Sequence, residues 1–229
     1  MTDPEAAALY RLMAWLSPSY PVGGYSYSHG LEWAVEEGLV RTASDLEDFV
    51  AAALAFGSGW GDAVLLAAAW RAAAAGDDAG LAAVAELGAA LRGAAELALE
   101  STQQGQAFLK ATLAAWPAPG LAARIAALNA PPVLPVAVGC VAAVHGVPLG
   151  PALAAYLQSF AASLVSAGVR LVPLGQSAGQ AVIAALEGRV LALTRRAAAA
   201  KLEDIAFASP VIDWCAMRHE TQTTRLYRS

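Results

Sequence analysis

Val169-Arg-Leu-Val-Pro-Leu-Gly-Gln-Ser-Ala-Gly179 supports two readings, and the choice between them decides the fold. In one, Val169 to Leu174 is a β-strand running into Gly175 to Gly179, a literal G-x-S-x-G. Asp213 and His219 follow in the order Ser, Asp, His, which is the nucleophile elbow and triad order of an α/β-hydrolase with Ser177 as nucleophile. In the other, the glycines turn the chain and Ser177 caps the helix that follows. The flanking sequence favours the second. A hydrolase of that fold needs several parallel strands alternating with helices ahead of the elbow, and residues 1–168 contain almost no runs of Val, Ile, Thr and aromatics. In a chain with 20 glycines, three fixed letters in five also recur by chance.

Outward from this stretch the sequence is helical, because alanine and leucine are the best helix formers. Just upstream, a helix is predicted over Leu149 to Val169. Leu153, Leu157, Phe160 and Leu164 recur on one face at steps of three and four, with Leu171 one heptad beyond Leu164. Only Val169 to Leu174 resembles a strand. Asp3 as N-cap before Pro4 starts a first helix, and Ser44 with Glu47 forms a capping box ahead of Leu46, Phe49, Val50 and Leu54. Gly57, Gly59 and Gly61 break that helix, and Trp60 to Ala75 begins another. Further helices are expected over Leu87 to Trp116, Val133 to His145, Ala178 to Glu187 and Arg189 to Lys201. The last runs from Pro210 to Arg218, capped by Ser209. No linker or fixed-period repeat divides the chain. The expectation is an all-α bundle of roughly nine or ten helices forming one domain over residues 1–229.

Composition agrees. The chain has 229 residues, 58% hydrophobic and 14% charged, with mean hydropathy +0.50, so it is too apolar for disorder and long enough for a sizeable core. Fourteen basic residues against nineteen acidic ones give net charge −5, and the bases are dispersed, so no basic patch points to nucleic acid. Between Arg124 and Arg170 no charged residue occurs, but Pro131, Pro132, Pro135, Pro148 and Pro151, then Gln158, Ser159, Ser163 and Ser166, interrupt the apolar runs. A buried helix pair is expected there rather than a membrane span. Cys140 and Cys215 lie in apolar surroundings without C-x-x-C pairing and read as buried thiols. The opening MTDPEAAALY lacks a basic region followed by an apolar run, so no secretory signal is expected and the cytoplasm is.

Metal-site patterns are weak. His29, His145 and His219 are dispersed, His219-Glu220 lacks a second histidine four residues on, and His145 beside Gly146 reads as a helix-end residue. No G-x-x-x-x-G-K-[ST] phosphate loop is present. Two stretches stand apart from core and ordinary surface. Pro21-Val-Gly-Gly-Tyr-Ser-Tyr-Ser-His-Gly-Leu-Glu-Trp33 interleaves glycines, aromatics and hydroxyls, a composition suited to a shaped hydrogen-bonding loop. Arg218-His-Glu-Thr-Gln-Thr-Thr-Arg-Leu-Tyr-Arg-Ser229 is dense in recognition residues; a partner-ordered tail, a solvated tail and a catalytic role are all open on these residues alone.

These two stretches, with LVSAGVRLVPLGQSAGQ, STQQGQAFLKA and PVAVGCVAAVHGVPLGPALAAYL, resemble the UreF family of urease accessory proteins over nearly the whole chain. The resemblance implies an all-α, homodimeric, cytoplasmic protein with no catalytic activity, cofactor or metal ligands of its own. It implies binding to UreD (UreH), recruitment of the nickel-carrying GTPase UreG by that pair, and nickel delivery to apo-urease, with UreF gating the GTPase step. Carried onto this sequence, the partner-binding positions are Gly23, Gly24, Tyr25, Ser26, Tyr27, Ser28, His29 and Glu32 in the loop. In the tail they are Arg218, His219, Glu220, Gln222, Arg225, Tyr227 and Arg228. Arg225 and Tyr25 match positions that build the surface for UreG, and Arg170 matches a usually basic position tied to gating. The family tail often reads HETQYSRLFRS; here Thr223, Thr224 and Tyr227 replace Tyr, Ser and Phe, which removes an aromatic anchor at Thr223 and adds a hydroxyl at Tyr227. One expectation is specific: the Arg225 guanidinium donates to carbonyls of the Tyr25 loop. The alternatives to an adaptor are a serine hydrolase at Ser177 and a direct nickel chaperone using His29 and His219.

Overall fold

The computed structural model, which describes residues 2–229, holds eleven α-helices and no β-strand among those residues. They are α1 (Asp3–Trp15), α2 (Leu31–Glu36), α3 (Ala43–Ala55), α4 (Ser58–Ala75), α5 (Asp78–Ala90), α6 (Ala95–Ala115), α7 (Leu121–Ala126), α8 (Leu134–Val144), α9 (Leu149–Leu171), α10 (Gln176–Ala199) and α11 (Pro210–His219). Two of these, α2 and α7, have only six residues; the other nine match the expected bundle.

The centre is α4 packed on α8. Both are apolar around most of their circumference, as helices surrounded by others must be, and every residue from Pro135 to Ala142 is buried. Gly139 sets their approach: a Cβ there would fall on the Leu66 carbonyl oxygen, well inside van der Waals contact. Around this pair lie α5 and α6 on one side and α9, α10 and α3 on the other, while α11 packs on α2 and α6. The apolar core runs without a break from Ala8 to Tyr227, with a three-residue satellite of Ala94, Leu97 and Ala216.

Several boundaries differ from the sequence reading for identifiable reasons. Val169 to Leu174 is not a strand: α9 continues through Leu171 and stops because Pro173 drives Val172 to extended backbone, φ −99° and ψ 139°. Gly175 is the N-cap of α10, and Ser177 lies exposed in its first turn without capping it. Gly188 does not interrupt α10, so the two expected helices are one. The span 87–116 is broken between α5 and α6, where Arg92 turns inward to Asp62 at 2.8 Å. The capping box of α3 is Thr42 with Asp45, not Ser44 with Glu47: Thr42 Oγ1 accepts the Asp45 amide, and Asp45 accepts the amides of Arg41 and Thr42. These bonds, the Arg41 amide foremost, hold the Asp45 carboxyl below its usual range. Thr2, not Asp3, caps α1. Helix α4 begins at Ser58, so only Gly57 lies in the break.

By length and apolarity alone, Ala43–Ala75 and Leu149–Leu171 could cross a membrane. The first is two helices parted at Gly57, with 78% of its most apolar window inside the fold, and half of the second's window is buried.

Paired glycine variants test this packing. Gly139→Ala is expected to destabilise the fold by about 1–3 kcal/mol, as overpacking does. Gly188→Ala, whose Cβ meets nothing within 4 Å, is expected to stabilise it by up to about 1 kcal/mol through helix propensity. Urea denaturation followed by circular dichroism reads both; equal effects would contradict the close α4–α8 approach.

Candidate protein-docking site

The local sequence after Pro21 makes a loop with an unusual backbone. Gly23 is left-handed (φ 74°) and starts a single 3-10 turn over Gly24–Ser26. His29 and Gly30 are then left-handed in succession, φ 59° and 78°. For His29 this costs about 1–2 kcal/mol, a strain that packing must offset. Gly30 has a second reason to be glycine: a Cβ there would stand 2.7 Å from the Ala216 backbone nitrogen, so α2 and α11 meet backbone to backbone.

That close approach brings Glu32, the second residue of α2, against residues 219–227. Glu32 is 6% exposed. Its Oε1 accepts the Leu226 amide at 2.6 Å, and its Oε2 accepts the Tyr227 amide and His219 Nε2, each at 3.0 Å. His219 is fully buried, and its Nδ1 faces Glu96 Oε2 at 2.6 Å. Each ring nitrogen of His219 thus meets a carboxylate oxygen from a different helix. Such charge-assisted bonds contribute about 1.5–3 kcal/mol each.

Helix α6 supplies the facing edge. Glu96 and Glu100 stand one turn apart. Glu96 Oε1 accepts Arg225 Nη1 at 2.6 Å. Glu100 Oε2 accepts Ser229 Oγ at 2.7 Å, and Tyr27 OH donates to Gln103 at 2.7 Å. Backbone bonds complete the seam: Arg228 donates to Ser26 O at 2.8 Å, and the Ser28 amide and hydroxyl both donate to the Ser229 backbone oxygen. Glu220 Oε1 accepts the amides of Ala95 and Glu96 at 2.9 and 3.5 Å, capping α6 where Ala94 has no side chain able to do so.

Arginines and aromatics interleave over this seam. Arg170 lies 5.0 Å from the Tyr227 ring and donates to Tyr25 O at 3.3 Å and Ser166 O at 3.1 Å. Arg218 covers Trp33 at 5.0 Å and Arg228 lies 5.9 Å from Tyr27. Gln222 bends back to Thr224 O at 2.9 Å. The expected bond from Arg225 to the Tyr25 loop is not made: Arg225 is taken by Glu96 and the His219 carbonyl, and Arg170 meets that loop instead. Glu96, Glu100 and Gln103 escaped the sequence reading of the site. Two acids one turn apart, Glu96 and Glu100, were the available signal.

Other chemistry finds less support in this geometry. Ser177 is exposed and bonded to no histidine, and neither nitrogen of His219 is free to take its proton. Among the described residues no three His, Cys, Asp or Glu side chains converge as metal ligands. Burial pushes both thiols, Cys140 and Cys215, up to about 11.

Two variants test how residues 225–229 are held. Glu32→Gln keeps the volume but removes the charge that three donors share. The Leu226 and Tyr227 amides are then expected to exchange with solvent at least about tenfold faster, with helicity unchanged. Unaltered exchange would mean that Glu32 does not hold this segment. Tyr227 is 5% exposed and its hydroxyl has no partner among the described residues, while burial pushes the phenol above its ordinary range. Tyr227→Phe is therefore expected to slow exchange of the Arg228 amide, recovering about 1–2 kcal/mol; faster exchange would show that the hydroxyl is satisfied.

Comparison with known proteins bears on all of this. The sequence model of the UreF family matches residues 40–187. Proteins named urease accessory protein UreF from Bradyrhizobium diazoefficiens, Rhodopseudomonas palustris (strain HaA2) and Granulibacter bethesdensis are 50%, 51% and 53% identical to this chain. The alignments cover 98%, 100% and 97% of this chain and 93%, 97% and 94% of those proteins, so they extend over the loop and the closing segment that the family model leaves out. With a match over more than half its length and relatives at this identity end to end, the chain belongs to the UreF family of urease accessory proteins.

Proposed function

We propose that this protein is a non-catalytic adaptor in urease maturation. It binds UreD (UreH), and the pair recruits the GTPase UreG for GTP-dependent nickel insertion into apo-urease, with Arg170 gating the GTPase step. One observation supports this most: residues 23–32 and 218–229 fold into a single surface whose acids are tied internally while large side chains face outward. Tyr25 is 73% exposed and Leu226 79%, with Arg228 beside them. An exposed aromatic, an apolar side chain and arginines around a fixed backbone are the composition of a protein interface. Arg170 supports the gating part of the reading because it bonds the Tyr25 carbonyl and covers Tyr227, so it senses both halves of the surface. Homodimerisation in the cytoplasm belongs to the same proposal.

Light scattering after size-exclusion chromatography tests it. The full chain mixed with UreD and GDP-bound UreG is expected to give a ternary complex, and a chain ending at Met217 is expected to give none. Arg225→Ala, which strips Glu96 of its guanidinium, is expected to weaken UreG recruitment by at least about tenfold. A complex formed equally well without residues 218–229 would remove them from the interface. Binding of neither partner by the full chain would overturn the adaptor reading, and fluorophosphonate labelling of Ser177 and nickel titration would then distinguish the hydrolase from the chaperone.

A further inference from the structure

We propose that the cavity under the 23–29 loop is a binding site for a primary alkylammonium group, the head of a lysine side chain or of a small free amine. The cavity measures about 360 Å³, and Trp15, Tyr27, Phe108 and Phe160 contribute rings to its wall. At one side His29, Glu100 and Gln104 converge on it. His29 is 5% exposed, it sits edge-on to Phe160 with ring centroids 5.5 Å apart, and its Nδ1 has no hydrogen-bond partner. Glu100 Oε2 lies 3.7 Å from that nitrogen, beyond hydrogen-bond reach, so the carboxylate is not satisfied by the ring. Gln104 gives its amide nitrogen to Glu100 Oε1 at 3.2 Å, and its carbonyl oxygen accepts nothing among the described residues.

Two acceptors therefore stand at this side of the cavity, the Glu100 carboxylate and Gln104 Oε1, with the His29 ring packed behind them. An alkylammonium offers only N–H donors and no acceptor, which matches a wall that presents acceptors alone. Charge points the same way. Glu32 and Glu96 face His219 at hydrogen-bond distance, and Glu96 also holds Arg225, whereas Glu100 has only His29 at 3.7 Å. The neighbouring guanidiniums are committed elsewhere, Arg92 to Asp62 and Arg170 to two carbonyls and the Tyr227 ring. A single water would fill only about 30 Å³ of the space. Aromatic walls suit a cation on a short apolar stem. The site draws on no partner proposed above.

Isothermal titration of the full chain with n-butylammonium, n-butanol and Nα-acetyl-lysine N-methylamide tests the proposal. Saturable binding of n-butylammonium is expected, with n-butanol at least about tenfold weaker, and Glu100→Gln is expected to abolish the difference. Ser229→Ala removes the same Glu100 contact with the closing segment while leaving the carboxylate, and is expected to retain amine binding. Equal affinity for the alcohol, no binding of the amine, or loss in Ser229→Ala as complete as in Glu100→Gln would each overturn the site. Binding of the blocked lysine as tightly as n-butylammonium assigns the ligand to a protein side chain; its exclusion assigns it to a free amine.

Discussion

A carboxylate withdrawn from water has to be met by donors, and in this protein that requirement joins segments nearly 200 residues apart in sequence. Glu32 finds its donors at His219, Leu226 and Tyr227. It reaches them because two successive left-handed residues turn the chain into α2 and because Gly30 lets Ala216 come to backbone contact. A larger residue at position 30 would push α11 away and strand a buried charge, which is far more costly than losing the bonds alone. Glycine permissiveness and carboxylate chemistry are thus one constraint here.

The two regions of the molecule are held by different forces. The α4–α8 centre is stabilised by apolar burial, which is non-directional and proportional to area. The seam between 23–32 and 218–229 is held by short directional bonds to three glutamates, with few apolar side chains inside it. Such a seam opens without unfolding the helices behind it. What positions α6 for this role is a buried cluster at its start: Arg92 meets Asp62 at 2.8 Å, and Tyr156 donates to the same carboxylate at 2.6 Å. Burial holds the Tyr156 phenol well above its ordinary range, so it remains a donor. These contacts fix the α5–α6 turn on α4 and α9, and so fix where Glu96 and Glu100 stand.

Much of this was legible from the sequence. Helix periodicity carried the all-α reading, since steps of three and four at Leu153, Leu157, Phe160 and Leu164 report a face directly. Boundaries were less legible wherever a tertiary contact set them. The break at 91–94 depends on Arg92 finding Asp62, thirty residues earlier, and nothing local announces it. At Val169–Leu174 local β propensity lost to propagation of an established helix, with no neighbouring strand to pair with. In the site, residue types betrayed the loop and the closing segment, but not their partners. Pairing Arg225 with the Tyr25 loop overlooked the acids of α6, because spatial neighbours contributed by a third element leave no trace in the spacing of the first two.

The closing segment shows how one short stretch serves two masters. Leu226 is 79% exposed, Tyr227 5%, Arg228 exposed and Ser229 fully buried, the alternation of an extended chain with one face on the protein and one in solvent. The inward set is fixed by chemistry within the chain: Tyr227 under Arg170, Ser229 on Glu100 and Ser28. Of the outward set only Arg228 has such a contact, 5.9 Å from the Tyr27 ring, and Thr223 and Thr224, where the UreF pattern differs most, are exposed as well. Changes at outward positions alter what the surface presents without altering how it is built. A change at an inward position must satisfy a cavity already shaped by Glu32, Glu96 and Glu100. The added hydroxyl at Tyr227 lies on that inward face, where a polar atom without a partner weakens the seam itself.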